Sequence, residues 1–284
     1  MHNKRVIPRL DIKGPNLVKG IHLEGFRVLG KPEDFAKLYY EQGADELFYQ
    51  DTVASLYQRN SLSEIISRTI EDVFIPITVG GGIRSLNDIN KVLRAGADKV
   101  CINTSAINNP DFIKEASREF GSSTIVVAIE VSLEKDEKYL AYTDNGREYT
   151  GVEALDWGKN VEDLGAGEIL LTSIDREGTG EGFDISLYSN FKKNLNIPII
   201  AHGGASNLEH IKEVFKTTNI DGVSIASILH YNAIKELIER ADSNFLEEGN
   251  INFLKRKISF KSFGKENIIS IKNFLKENNI NVRL

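Results

Sequence analysis

Short β-branched runs recur along the chain, and the intervals between them carry helical periodicity. Strands are expected over residues 6–10, 46–49, 75–79, 99–102, 125–129, 168–172, 197–201 and 222–225. Brief apolar runs of this kind suit strands covered on both faces, as in a parallel sheet. Between them, stretches such as 32–42 and 86–95 space their apolar residues as one face of a helix does. Eight strand–helix units within 284 residues predict an α/β fold, a closed parallel (β/α)8 TIM barrel. A doubly wound open sheet would carry Gly-x-Gly-x-x-Gly after its first strand, and that motif is absent.

The two halves of the pattern echo each other. Asp45-Glu46-Leu47-Phe48 returns as Gly167-Glu168-Ile169-Leu170, Gly80-Gly81-Gly82-Ile83 as His202-Gly203-Gly204-Ala205, and Lys99-Val100-Cys101-Ile102 as Gly222-Val223-Ser224-Ile225. All three pairs are about 122 residues apart, so one half-barrel unit occurs twice. The repeat ends near His230. Residues 242–265 are polar, with a basic cluster at Lys255-Arg256-Lys257 and Lys261, and show little periodicity. They read as an insertion before a closing amphipathic helix at 265–278, within a single barrel domain spanning 1–284.

Composition narrows the partners. A net charge of −6 argues against nucleic acid or an anionic membrane as the main partner. No apolar run reaches the roughly 18 residues of a membrane span. No signal-peptide core precedes the first strand, and a cytoplasmic protein is expected. The lone Cys101 excludes an internal disulfide framework. The five histidines lack metal-ligand spacing, so neither a metal nor a cofactor is expected.

Candidate chemistry sits where strands end, which in such barrels is the catalytic face. Asp11 closes the first run and Glu130 the fifth, so the two carboxylates are expected to face each other across the mouth. At a strand end facing the mouth, Asp11 is expected to contribute little to the core. Gly80-Gly81-Gly82 and Asn103-Thr104-Ser105 form turns suited to a phosphate, since glycine admits an anion close to the backbone and helix-start amides attract it. The second half offers Gly203, Gly204, Ala226 and Ser227. A glycine pair after a strand is often only a tight turn, but the matched duplication favours two sites. Two phosphate sites on one mouth imply a substrate phosphorylated at both ends.

With Leu10-Asp11-Ile12-Lys13, Leu17-Val18-Lys19-Gly20, Thr78-Val79-Gly80-Gly81-Gly82-Ile83, Ile102-Asn103-Thr104, Gly165-Ala166-Gly167-Glu168-Ile169-Leu170-Leu171-Thr172-Ser173-Ile174-Asp175-Arg176 and terminal Asn281-Val282-Arg283-Leu284, the chain resembles the HisF family, the cyclase subunits of imidazole glycerol phosphate synthase in histidine biosynthesis. The resemblance covers nearly all of 4–230. It implies a heterodimer with a glutaminase of the HisH type, whose ammonia passes through the barrel to a bis-phosphorylated ribulosyl-aminoimidazole. It implies Asp11 and Glu130 as the catalytic pair, with Lys19 on a first loop that closes over substrate. Gly82, Asn103, Thr104, Thr172, Glu177, Gly178, Gly203, Gly204, Ala226 and Ser227 would contact substrate or phosphate. Arg5, Glu46, Lys99 and Glu168 would form an ammonia gate at the closed end, with Asp98 on the same docking face.

The sequence also departs from the family pattern. Glu130 stands where the family has aspartate, and Glu177 likewise replaces an aspartate. Arg9 occupies a position that is usually small or cysteine, where it could pair with Asp11 or Glu130 and depress that acid. These changes gather at the mouth while the gate residues are intact. Three readings therefore stay open: the histidine-pathway cyclase, a related subunit channelling ammonia for amidino modification of surface-polysaccharide sugars, and a sister isomerase of the same pathway.

Overall fold

The computed structural model describes residues 3–54, 62–240 and 266–284. Its strands in chain order are β1 (Arg5–Lys13), β2 (Asn16–Ile21), β3 (Glu24–Gly30), β4 (Leu47–Asp51), β5 (Ile77–Gly80), β6 (Lys99–Ile102), β7 (Ile125–Leu133), β8 (Tyr139–Thr143), β9 (Glu148–Glu153), β10 (Glu168–Ser173), β11 (Ile199–His202) and β12 (Gly222–Ile225). Eight of these pair in parallel in the order β1, β4, β5, β6, β7, β10, β11 and β12, and β12 returns to β1. The expected barrel is present. Strands β1 and β7 stand four steps apart in either direction, so they face each other across the axis.

The remaining four strands correct the reading of the mouth. Segments expected as loops are two antiparallel hairpins, β2–β3 rising from β1 and β8–β9 rising from β7. They lengthen their parent strands to Lys13 and Leu133, because each added rung pairs with the returning strand. The two carboxylate-bearing strands are thus the two that carry hairpins, and the internal repeat extends to these additions.

Smaller features repeat as well. Ser85 and Asn207 occupy equivalent positions and cap the helices Leu86–Arg94 and Leu208–Thr218, accepting from the Asp88 and His210 amides. Asp98 and Asp221 accept from the first amides of the preceding strands, Ile77 and Ile199. Gly81 (φ +102°) and Gly203 (φ +111°) make the same close approach. A Cβ would lie 2.4 Å from the Asp51 carbonyl oxygen in one case and 2.7 Å from that of Ser173 in the other.

Two apolar layers hold the fold. The large one lies between strands and helices and includes Leu10, Ile12, Tyr49, Val127, Ile169 and Val223. The smaller fills the barrel axis with Ile7, Phe48, Cys101, Val126, Ala128, Leu170 and Ile200. A final helix, Ile268–Glu277, closes the ring with an Asn267–Ser270 capping box. Buried Lys272 bonds the Gly43 carbonyl at 2.6 Å and Asp45 at 2.7 Å, fixing this helix to the loop before β4. The insertion at 242–265 lies outside the described residues. Among those residues no helix is long and apolar enough to cross a membrane.

Candidate active site

At the closed end Arg5, Glu46, Lys99 and Glu168 form one alternating ring. Arg5 bonds Glu46 at 2.7 Å and also pairs with Glu168, while Lys99 reaches Glu46 at 3.0 Å and Glu168 at 3.3 Å. Each cation touches both anions. Burial alone would raise the Glu46 carboxyl, but Arg5 and Lys99 outweigh it and hold the acid below its ordinary range. Directly above lies a cavity of about 10 Å³ bounded by Ile7, Phe48, Thr78, Val126, Leu170, Ile200 and Ser224. Asp98, expected on the docking face, has a structural task, since its carboxylate ties the start of β6 to the Ile77 amide.

The axis above this apolar layer becomes charged. Strand alternation points Arg5, Ile7, Arg9 and Asp11 of β1 to the same side. Arg9 is 2% exposed and lies with its guanidinium 5.6 Å from the Phe48 ring centre. Its Nε donates to Asp11 Oδ1 at 2.8 Å, so of the two possible partners Arg9 chose Asp11. Asp11 is itself only 1% exposed and part of a buried ion pair, contrary to the small structural contribution expected of it. The β2–β3 hairpin pairs beside it, Val18 in register with Asp11, and brings Lys19 near. Burial would raise this carboxyl, yet Arg9 and then Lys19 hold it below the ordinary range.

Glu130 behaves oppositely. Its Oε2 accepts from the Asn103 amide nitrogen at 3.0 Å and from the Gly146 backbone at 2.9 Å. Burial pushes its carboxyl up to about 7; Asp11 and Asp144 add to the rise, against Arg9 and the Gly146 amide. Two facing acids with unlike proton affinities are what a reaction needing both a donor and an acceptor requires.

The first expected phosphate turn opens on a cavity of about 460 Å³. Gly82, Asn103, Thr104 and Glu130 line it, together with Asp51, Arg84, Asn108, Asp144 and Asn145. Asp144, Asn145 and Gly146 form the β8–β9 tip and were not anticipated, although Asn-Gly between two strand-like runs is a hairpin signature.

The second turn faces only about 20 Å³, lined by Lys19, Glu177, Gly178, His202, Gly203, Gly204, Ala226 and Ser227. Lys19 lies on β2, not on a loop, and its ammonium pairs with buried Glu177 and with the Gly20 carbonyl. Glu177 Oε2 also accepts from the Leu23 amide at 2.9 Å, and its own carbonyl accepts from the His22 amide at 3.0 Å. As an anion it cannot grip a phosphate; it holds the Lys19 cation and the hairpin tip. Thr172 is 0% exposed and lines neither cavity, but on β10 it falls in step with Glu168 and Leu170 and so faces the barrel axis. His202 is an addition. Its Nδ1 donates to the Ser224 carbonyl at 2.8 Å, and burial followed by Arg9 pushes it down to about 4, so the ring is neutral near pH 7.

Residues 5–235 match a protein family described as histidine biosynthesis protein. Three curated relatives are each called imidazole glycerol phosphate synthase subunit HisF. That of Legionella pneumophila is 58% identical over 209 residues, 74% of this chain and 99% of its own length. That of Methanococcus maripaludis is 45% identical over 265 residues, 84% of this chain and 97% of its own. That of Hydrogenobaculum is 46% identical over 249 residues, 88% of this chain and 98% of its own.

Proposed function

The chain belongs to the histidine biosynthesis protein family as a HisF-type subunit, the cyclase subunit of imidazole glycerol phosphate synthase, and we propose that Asp11 and Glu130 carry its chemistry. The substrate is the bis-phosphorylated ribulosyl-aminoimidazole. Ammonia adds to its ribulosyl carbonyl, whose oxygen leaves as water, the C–N bond to the aminoimidazole breaks, and ring closure gives imidazole glycerol phosphate and the aminoimidazole carboxamide ribotide. Each of these steps moves protons and charge, and facing carboxylates with unlike affinities supply a proton-holding acid in Glu130 and a negative charge in Asp11. That opposition across the barrel axis is the observation carrying the assignment.

One phosphate would sit in the open cavity against Gly82, Asn103 and Thr104. The other would sit at Gly203, Gly204 and Ser227, where the helix Ser227–Arg240 begins and its first amides attract an anion. Occupation of that site requires the β2–β3 hairpin to lift, after which Lys19 can turn from Glu177 to the phosphate. A cytoplasmic glutaminase is the partner, docking over the charged ring so that its ammonia enters along the axis. The subunit names of the relatives, with this ring, weigh against the isomerase reading.

The test uses the purified chain, free ammonia and the bis-phosphorylated substrate. Imidazole product should form without any partner, and Glu130→Gln should lower turnover about 100-fold. A wild-type chain that binds the substrate but never converts it would overturn the assignment.

A further inference from the structure

We propose that Arg9 is a positioning residue that fixes Asp11 as a permanent anion in one orientation, so that of the two facing carboxylates only Glu130 exchanges protons during turnover. The inference rests on the cyclase reading and deepens it. Its geometry is a buried two-point clamp. The Arg9 Nε–Asp11 Oδ1 bond of 2.8 Å joins two groups that are 2% and 1% exposed. The guanidinium carbon also lies over the Phe48 ring, 5.6 Å from its centre. Neither partner can leave water-free surroundings without abandoning the other, and arginine stays charged at any working pH.

The surroundings of Asp11 agree with this division. From its own strand it faces Arg9, and from the β2–β3 hairpin Lys19. Strand β11 contributes His202, neutral near pH 7, and the helix Ser227–Arg240 contributes His230, also pushed down by burial. The neighbour in register on β4 is uncharged Gln50. The anions that oppose it are Glu130 across the axis and Glu177, which is already paired with Lys19. Two cations, one of them in direct contact, therefore outweigh two more distant anions. Among the described residues Glu130 has no ion-pair partner, and its Oε2 takes the neutral Asn103 and Gly146 donors. The consequence is a fixed order of tasks. Asp11 accepts hydrogen bonds and stabilises positive charge, whereas Glu130 gives the proton to the leaving nitrogen and recovers one at ring closure.

Two measurements test this. In the first, aspartate carboxyl carbons are labelled with ¹³C, the Asp11 signal is assigned by its loss in Asp11→Asn, and the protein is titrated without substrate. Wild-type Asp11 should stay ionised down to at least pH 4, and Arg9→Met should move its midpoint upward by one pH unit or more. In the second, kcat/KM is followed against pH at constant free ammonia. Wild type should be flat on the acid side and fall above about pH 7. Arg9→Met should add an acid-side loss whose midpoint coincides with the shifted Asp11 signal, and Arg9→Lys should restore most of it. An Asp11 signal titrating above pH 4.5 in wild type, or an unshifted Arg9→Met with native melting, would overturn the proposal. The carbon signal reads the clamp without turnover, so a chain inactive as a cyclase still decides it. If Arg9→Met does not fold, wild type and Arg9→Lys decide it on the same criteria.

Discussion

In the first half of the mouth Gly82, Asn103, Thr104 and Glu130 surround about 460 Å³ of open space, whereas the equivalent Gly203, Gly204 and Ser227 face about 20 Å³. The backbone plan is the same on both sides, down to the close approach of Gly81 and Gly203 to a preceding strand end. What differs is one hairpin. The β8–β9 tip stands beside its cavity and offers Glu130 an amide, while the β2–β3 tip is drawn down by Glu177 and plugs its cavity with Lys19. A duplicated scaffold has thus acquired one receptive half and one latched half, and the acids follow suit: Glu130 holds its proton near neutrality and Asp11 does not.

Asp11→Asn strikes hardest at this arrangement. Turnover should fall about 10²- to 10³-fold, as for a preorganised group that stabilises developing charge. The fold should weaken too, because Arg9 loses its counter-charge; a buried cation stranded in this way costs about 3–5 kcal/mol. A thermal melt alongside the assay checks both, and an unchanged melt would deny the clamp.

Glu177→Gln should unlatch the second half. Amide exchange over residues 16–30 should quicken about 100-fold, equivalent to roughly 3 kcal/mol for a broken buried pair, while β8 and β9 are untouched. Equal exchange in both hairpins would mean that the latch does not set the difference.

The pH response sharpens the contrast further. Glu130 keeps its proton below about pH 7 and loses it above, so at constant free ammonia kcat/KM should fall as pH rises through 7, up to about tenfold by pH 8. The stability term has the same sign: a buried acid with raised affinity favours the folded state most at low pH, and that share is lost as pH climbs through 7. Glu130→Gln should abolish the limb in both measurements.

The smallest effect concerns occupancy. Inorganic phosphate titrated into the protein should fill the first cavity about tenfold more tightly than the second, since only the second requires a hairpin to move. Asn103→Ala should weaken the tight event alone, as isothermal titration would show.

The barrel strands were legible because each is a compact β-branched run, such as Val126-Val127-Ala128-Ile129, bounded by helical periodicity. The ring was expected from the resemblance, on four charges that open the first, second, fourth and sixth barrel strands. The latch was not. Lys19 and Glu177 lie 158 residues apart and meet only once the barrel closes. The β2–β3 tip places His22 (φ 50°) and Leu23 (φ 61°) in the left-handed region without a glycine or asparagine to announce it. Such residues persist where the surroundings over-determine them, here through two bonds to Glu177. The β8–β9 tip carries the expected signal in Asn145-Gly146. The surroundings of Asp11 were hidden for the same reason as the latch, because Lys19 and His202 come from other elements and meet it only in the closed barrel.

The most direct trial of the account puts the chain with its glutaminase partner and the bis-phosphorylated substrate, and counts glutamine consumed against imidazole product formed. Ammonia admitted through the ring and used at the Asp11–Glu130 mouth predicts one product per glutamine, with product lost in Glu130→Gln while glutamine hydrolysis continues. Sustained glutamine turnover by wild type with no imidazole product would contradict it, leaving a barrel that passes ammonia to some other acceptor.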